Sequence, residues 1–154
     1  MQSKILIVLK DLHIIAFTHR NLDVNKIGLL HIEKEDQFEH LNRVKQTLQL
    51  EELQFLSTCN RVEITFVKQH KLDADYVHQI LSLIYPKLVP IQLEEFVHRS
   101  ETYSGKAAVK HALSVASSID SMIVGEREII TQVRTSFEHC RPRSSGRNKS
   151  RLEC

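Results

Sequence analysis

The chain has 154 residues, which is enough for one domain with a hydrophobic core. It is 42% hydrophobic and 26% charged, as is ordinary for a soluble globular protein, and no apolar run approaches the ~20 residues that span a bilayer. The net charge is +2, but the last 14 residues hold five of the 21 basic and one of the 19 acidic residues. Residues 1–140 therefore carry 16 bases and 18 acids, a net of −2, which excludes a domain-wide basic surface for nucleic acid but not a local patch.

Strands and helices are both predicted along the chain. Apolar runs or alternations predict strands at 53–56, 62–66 and 91–98, and at 4–17 either one long strand or a strand broken at Lys10-Asp11. Helical spacing predicts helices at 24–31, 36–48, 75–85, 105–118 and 126–141. Asp23 and Ser104 can cap the first and fourth of these helices, and a loop is expected at 101–105. Because strands and helices do not alternate strictly, the order predicts an α+β fold, in which an antiparallel sheet has helices on one face and is followed by a helical subdomain.

The two ends of the chain differ in composition from the rest. We expect residues 1–141 to form one domain and the polar segment 142–154 to be a disordered tail or a non-native extension. The short apolar run at 5–9 lacks a small-residue cleavage site, so no signal peptide is expected. The three cysteines show neither a CxxC pair nor a disulfide spacing, which fits a reducing cytoplasm.

The stretch that carries most chemistry is 53–66, which reads L-Q-F-L-S-T-C-N-R-V-E-I-T-F. Two strand-like runs flank a small polar segment, so the pattern predicts a hairpin with Cys59 in its turn. In the second run apolar residues alternate with Arg61, Glu63 and Thr65, and we expect that polar face to be exposed to solvent.

A cysteine at the tip of a hairpin is held by a rigid scaffold and is still reachable from solvent. The positive charge of Arg61 can stabilise a thiolate, and the polar groups of Ser57, Thr58 and Asn60 can orient it or bind a substrate oxygen. These features predict that Cys59 is a nucleophile. The alternative is a structural cysteine that packs as a small apolar residue.

Other polar residues give weaker indications. His111 lies in a predicted helix on a face of small residues, where it can donate or shuttle a proton, although a partly buried structural histidine has the same pattern. Glu128 and Gln132 project together, four residues apart, as they would on any solvated helix face.

Metal and nucleotide sites are not predicted. Despite nine histidines, there is no HExxH or HxH motif and no Cys/His cluster. The four glycines are far apart, so the chain has neither a GxGxxG fingerprint nor a phosphate-binding loop.

Three segments together resemble glutamyl-tRNA reductase. Residues 57–63, S-T-C-N-R-V-E, resemble the catalytic-cysteine motif of that family, and 16–20, A-F-T-H-R, resemble its N-terminal strand and turn. Its second signature is similar to 108–134, A-V-K-H-A-L-S-V-A-S-S-I-D-S-M-I-V-G-E-R-E-I-I-T-Q-V-R. The resemblance covers about 5–140 and implies a ferredoxin-like sheet with a helical part, as in the family's N-terminal catalytic domain.

The resemblance also implies a reaction. Members of the family use NADPH to reduce the glutamyl group on tRNA(Glu) to glutamate-1-semialdehyde, the first step of the five-carbon route to tetrapyrroles such as heme. Cys59 would attack the aminoacyl ester, release the tRNA and form a thioester. Hydride from NADPH would then release the aldehyde, since a thioester is more reactive towards hydride than an ester is.

The same resemblance implies roles for individual residues. Cys59 matches the nucleophile, and His111 matches a histidine that polarises the carbonyl or handles a proton. Thr58, Asn60 and Arg61 match substrate-binding positions around the nucleophile. Further substrate-recognition positions are matched by Ser121, Glu126, Arg127, Glu128 and Gln132. The family commonly has Pro and Gln at positions 127 and 128, where this chain departs from the pattern.

Full-length members of the family continue into an NADPH-binding domain, a connecting helix and a helical dimerisation domain, which have no counterpart in this sequence. The resemblance thus implies the catalytic domain of an enzyme that forms homodimers and can bind glutamate-1-semialdehyde aminomutase. Alone, this domain is expected not to reduce the thioester. Two alternatives stay open: a non-catalytic tRNA-binding or regulatory module, and a cysteine-dependent esterase or hydrolase in which Glu63 or Asp120 assists His111.

Overall fold

The computed structural model describes residues 9–117 of the chain. The strands in this part are β1 (Leu12–Thr18), β2 (Glu52–Thr58), β3 (Arg61–Val67) and β4 (Glu101–Ser104). The helices are α1 (Val24–Leu29), α2 (Lys34–Leu48), α3 (Ala74–Ile84), α4 (Pro90–Arg99) and α5 (Lys106–Ala116). Across this part of the chain, no helix has the length and apolar character needed to span a membrane.

The four strands form one sheet in the order β2-β3-β1-β4, and each neighbouring pair is antiparallel. β1 and β2 therefore run in the same direction with β3 between them, which is the split βαβ arrangement of ferredoxin-like folds. The prediction of an α+β fold with an antiparallel, ferredoxin-like sheet is confirmed.

The central strand β1 is covered on both faces, since every residue after Leu12 is buried. Ile15 and Phe17 enter the main hydrophobic core, to which α1, α2, α3 and α4 all contribute. Ile14 and Ala16 point to the other face, where they pack against Ala108 of α5. Within the described residues, the sheet thus has four helices on one face and α5 on the other, and α5 determines the environment of the polar residues of β3.

The prediction of a strand at 91–98 is wrong, because this segment forms α4. Pro90 begins this helix, where its missing N–H costs no hydrogen bond, and the Gln92 side chain accepts a hydrogen bond of 3.2 Å from the N–H of Val89. Phe96 packs edge-on against Phe17 with ring centroids 6.0 Å apart. A short apolar run is compatible with a strand or a helix, and here Pro90 and the tertiary contact decide for the helix.

The prediction of a loop at 101–105 is also wrong, because residues 101–104 form β4, which pairs with β1. Ser104 does not cap the next helix. Its hydroxyl oxygen lies 2.8 Å from Nδ1 of His13, and Gly105, with φ of 58°, precedes α5. The helices predicted before residue 118 agree with the structure to within two residues at each end. One continuous strand over 4–17 is wrong, because residues 9 and 10 are helical, Asp11 is a bend and β1 begins at Leu12. The predictions for 126–141 and 142–154 lie outside the described residues.

Candidate functional site

Cys59 lies at the tip of the β2–β3 hairpin and is exposed. Thr58 pairs with Arg61 across the hairpin, so Cys59 and Asn60 alone form the turn. The hydroxyl of Thr58 lies 3.0 Å from Oδ1 of Asn60, and the carbonyl of Asn60 accepts a hydrogen bond of 3.2 Å from the N–H of His19. The backbone of the turn that carries Cys59 is therefore held from both sides.

An open cleft of about 350 Å³ adjoins the thiol. One wall is the end of β2 with the turn, and the other is α1 with the residues that follow it. Its lining residues are Ile27, Gly28, His31, Ser57, Thr58 and Cys59. Gly28 leaves room in this cleft, because a Cβ atom at that position would meet no atom within 4 Å. The cleft can admit a small polar group to the sulfur.

On the opposite face of the hairpin, Arg61 and Glu63 form a buried ion pair. Each residue is 4% exposed, which corrects the expectation of a solvent-exposed face. The guanidinium of Arg61 donates to Oε1 of Glu63 at 2.5 Å, and the same oxygen lies 2.8 Å from Nε2 of His111. The expectation failed because α5 covers this face, and alternation within one strand cannot reveal a helix that arrives from elsewhere in the chain.

His111 itself is held by two neighbours. Besides its contact with Glu63, its ring stacks on Tyr103 of β4, with centroids 4.1 Å apart and an interplanar angle of 17°. The Tyr103 hydroxyl donates to Glu101 at 2.7 Å. Buried charges require such partners, because desolvation of an unpaired guanidinium or carboxylate costs several kcal/mol. Glu63 is therefore the central residue of a polar cluster that links β3, β4 and α5.

The residues predicted for the site fall into two groups in the structure. Thr58, Cys59 and Asn60 meet at the turn, while Arg61 and His111 meet at Glu63. Within the described residues, no hydrogen bond joins Cys59 to His111. Five predicted positions lie outside the described residues, namely Ser121, Glu126, Arg127, Glu128 and Gln132.

Sequence reasoning missed how some residues take part in the site. The sequence predicts Glu63 only as one possible partner of His111, and the structure places its Oε1 2.8 Å from Nε2 of His111, whereas Asp120, the other acid, lies outside the described residues. Tyr103 and His31 were not predicted at all. A signal for Glu63 was present, because Arg61 and Glu63 lie two residues apart on one strand and therefore on the same face. No local pattern marks His31, whose position depends on how α1 packs.

The described residues offer neither a metal site nor a nucleotide site. Residues 9–117 contain no group of three or more His, Cys, Asp or Glu side chains that could hold a metal ion. Their sheet is wholly antiparallel, and their two glycines, Gly28 and Gly105, lie in different elements and form no phosphate-binding loop. This part of the chain therefore lacks the parallel sheet and glycine-rich turn of a standard dinucleotide-binding fold.

Comparison with known proteins gives a consistent result. Residues 15–151 match the family model described as "Glutamyl-tRNAGlu reductase, N-terminal domain". The glutamyl-tRNA reductase of Campylobacter hominis is 31% identical over 137 residues, which are 86% of this chain and 30% of that protein. The protein of the same name from Campylobacter curvus is 34% identical over 143 residues, or 90% of this chain and 32% of that protein.

A solved structure has the same fold. The glutamyl-tRNA reductase from Methanopyrus kandleri matches with a TM-score of 0.64 and 24% identity over 85% of this chain and 28% of that one. The chain thus spans about a third of the length of the curated relatives that it matches.

Proposed function

The chain belongs to the family of glutamyl-tRNA reductase N-terminal domains, and we propose that it performs the acyl-transfer half of glutamyl-tRNA reduction. In that reaction the glutamyl group of tRNA(Glu) becomes attached to Cys59 at the entry to tetrapyrrole synthesis. The observation that carries the proposal is the exposed thiol in an open cleft, at the position where the family motif has its cysteine.

The chemistry follows from the position of the thiol. The sulfur of Cys59 attacks the carbonyl carbon of the glutamyl ester, a C–S bond forms, and the C–O bond to the tRNA breaks. The tRNA leaves with a free hydroxyl and the glutamyl group remains as a thioester. Because Thr58 and Asn60 hold the turn, the backbone of Cys59 is in place before the ester arrives, which lowers the entropic part of the barrier.

The buried cluster is proposed to support the substrate from the other side of the hairpin. Glu63 holds the guanidinium of Arg61 and the ring of His111 in fixed positions. Arg61, with Thr58 and Asn60, is proposed to bind the glutamyl group, and His111 to polarise its carbonyl. The remaining substrate-recognition positions are proposed to be Ser121, Glu126, Arg127, Glu128 and Gln132.

NADPH is proposed to bind outside this chain, because the sequence has no GxGxxG fingerprint and the described sheet is antiparallel. Most of the length of the curated relatives has no counterpart here and leaves room for such a domain. The reduction of the thioester is therefore not assigned to any residue of this chain. Homodimer formation and binding of glutamate-1-semialdehyde aminomutase are proposed for the longer protein only.

The test uses the purified chain and glutamyl-tRNA. After an acid quench, intact-mass spectrometry with peptide mapping should find one glutamyl adduct, located on Cys59 and lost in Cys59→Ser. Because Cys59 is exposed, this substitution should leave the melting temperature unchanged, so that loss of the adduct reports chemistry. A chain that binds glutamyl-tRNA in a gel-shift experiment but never acquires the adduct would be a tRNA-binding module instead.

A further inference from the structure

His31 lines the cleft beside the Cys59 thiol. It follows α1 in the chain, and its Nδ1 lies 3.0 Å from the hydroxyl oxygen of Ser57. Both side chains line the cleft together with Cys59. No sequence motif of the site includes His31, so only the packing of α1 against the sheet brings it to the thiol.

The strand geometry places Ser57 and the thiol on one side. Ser57 lies on the same face of the hairpin as Leu53, Phe55 and its cross-strand partner Val62. Those three apolar residues point into the main core. Cys59 follows two positions later, in the turn, and lines the same cleft as Ser57. His111 lies on the opposite face, where its Nε2 contacts Glu63.

We propose that His31, together with Ser57, accepts and returns the proton when Cys59 is acylated; this inference rests on the proposed function. The thiol proton moves to the imidazole as the sulfur bonds to the ester carbonyl. When the C–O bond breaks, the ribose oxygen of the tRNA takes that proton from the imidazolium. The imidazole ends neutral, and no oxidant or reductant is needed. A positioned histidine is the commonest group for this role.

The neighbours of His31 fit a ring that becomes transiently charged. Oε1 of Glu33 lies 3.8 Å from Nε2, which favours the imidazolium, although weakly because the Glu33 side chain is 75% exposed. Ser57 presents a hydroxyl that can donate to the neutral ring or accept from the charged one. Glu33 and the thiol of Cys59 are the titratable groups that the described residues place against this ring and in its cleft.

The experiment compares three proteins: the wild-type chain, His31→Gln and His78→Gln. Glutamine can still hydrogen-bond to Ser57 but cannot carry a proton, so His31→Gln removes the proposed chemistry and keeps a structural contact. His78 is a matched control, since its side chain is 44% exposed against 49% for His31 and lies 3.6 Å from a glutamate. It does not line the cleft. Melting temperatures establish that all three proteins are folded.

Two rates are measured. Formation of the Cys59 adduct from glutamyl-tRNA should fall roughly 10²-fold in His31→Gln, the lower end of general acid–base effects because His31 is half exposed, and should stay at the wild-type value in His78→Gln. Alkylation of Cys59 by iodoacetamide, which needs no tRNA, should also slow only in His31→Gln.

The outcomes separate the two proposals. Wild-type adduct formation and alkylation rates in His31→Gln would overturn the role of His31 and leave Cys59 as the nucleophile. If the wild-type chain forms no adduct, the proposed function fails. The alkylation rates then test by themselves whether His31 takes the proton of the Cys59 thiol. Equal alkylation rates in His31→Gln and wild type overturn this role, whereas slower alkylation in His31→Gln alone supports it.

Discussion

Oε1 of Glu63 lies 2.8 Å from Nε2 of His111, in a contact that joins residues 48 positions apart in the sequence. Both residues are buried, and the same oxygen accepts a hydrogen bond from Arg61. One carboxylate thus joins the hairpin that carries Cys59 to α5. The stability of the fold and the geometry of the site depend on the same atom, which makes Glu63 the first residue to test.

Glu63→Gln keeps the size of the side chain but removes its charge. We expect it to lower the free energy of unfolding by about 3 kcal/mol, because it leaves the buried Arg61 guanidinium without its carboxylate. This expected loss is at the low end for a broken buried ion pair, because Arg61 has a further interaction that remains in the variant. Urea unfolding followed by circular dichroism measures the difference.

Glu39→Gln is the matched control for this measurement. Glu39 also pairs with an arginine, Arg43, but the two side chains are 82% and 52% exposed, so its removal should cost less than ~1 kcal/mol. Equal effects of the two substitutions would mean that the Glu63 cluster adds no stability beyond that of a surface pair.

The sequence predicted the fold class and the hairpin because these depend on local signals. Period-two alternation in β3 and the small polar residues at the turn are properties of a short window. The segments predicted wrongly depend on partners elsewhere: 91–98 is helical with Phe96 against Phe17, and 101–104 is a strand because β1 accepts it. Local patterns cannot contain that information.

The candidate site divides in the same way. Cys59, Thr58 and Asn60 are neighbours in the chain, so one motif identified all three. Glu63 joins residues from separate segments of the chain, and the cleft position of His31 is set by the packing of α1. Neither fact follows from the spacing of residues in the sequence.

Gly105 and Gly28 provide a comparison of backbone effects. Gly105 precedes α5 with φ of 58° and ψ of −126°, a conformation that costs a residue with a Cβ atom about 1–3 kcal/mol. Gly105→Ala should therefore lower the free energy of unfolding by that amount. Gly28 lies within α1 with free space around it, and Gly28→Ala should raise stability by about 0.5–1 kcal/mol. Chemical denaturation of both variants tests the opposite signs, and a stabilised Gly105→Ala would contradict the strained geometry.

Tyr85 should make the fold sensitive to alkaline pH. Its hydroxyl donates to the carbonyl of Leu30 at 2.8 Å, and burial raises the pKa of Tyr85 above the usual 10. The unfolded chain ionises this tyrosine near pH 10 while the folded chain does not, so its contribution to stability is complete below pH 10 and is lost as pH rises further. The expected loss is about 1.4 kcal/mol per pH unit above pH 10.

Tyr85→Phe isolates this effect. At neutral pH the variant should be about 1–2 kcal/mol less stable, because the carbonyl of Leu30 loses its donor. Between pH 9 and pH 11 its stability should fall less than that of the wild type, since all other titrating groups are common to both. Thermal melts across this range give the comparison, and parallel curves for the two proteins would disprove the assignment.

Water, in place of hydride, should release the glutamyl group from a thioester formed on Cys59. Cys59 is exposed and its cleft is open, so a glutamyl thioester formed there remains accessible to solvent. We expect the wild-type chain to release glutamate slowly from glutamyl-tRNA, above the spontaneous rate, whereas Cys59→Ser releases it only at the spontaneous rate. Radiolabelled glutamyl-tRNA and chromatography of the released glutamate measure both rates.

A full-length relative supplied with NADPH should convert the thioester to aldehyde and release less free glutamate. Equal glutamate release by the wild-type chain and Cys59→Ser would mean that no hydrolysable intermediate forms on this cysteine.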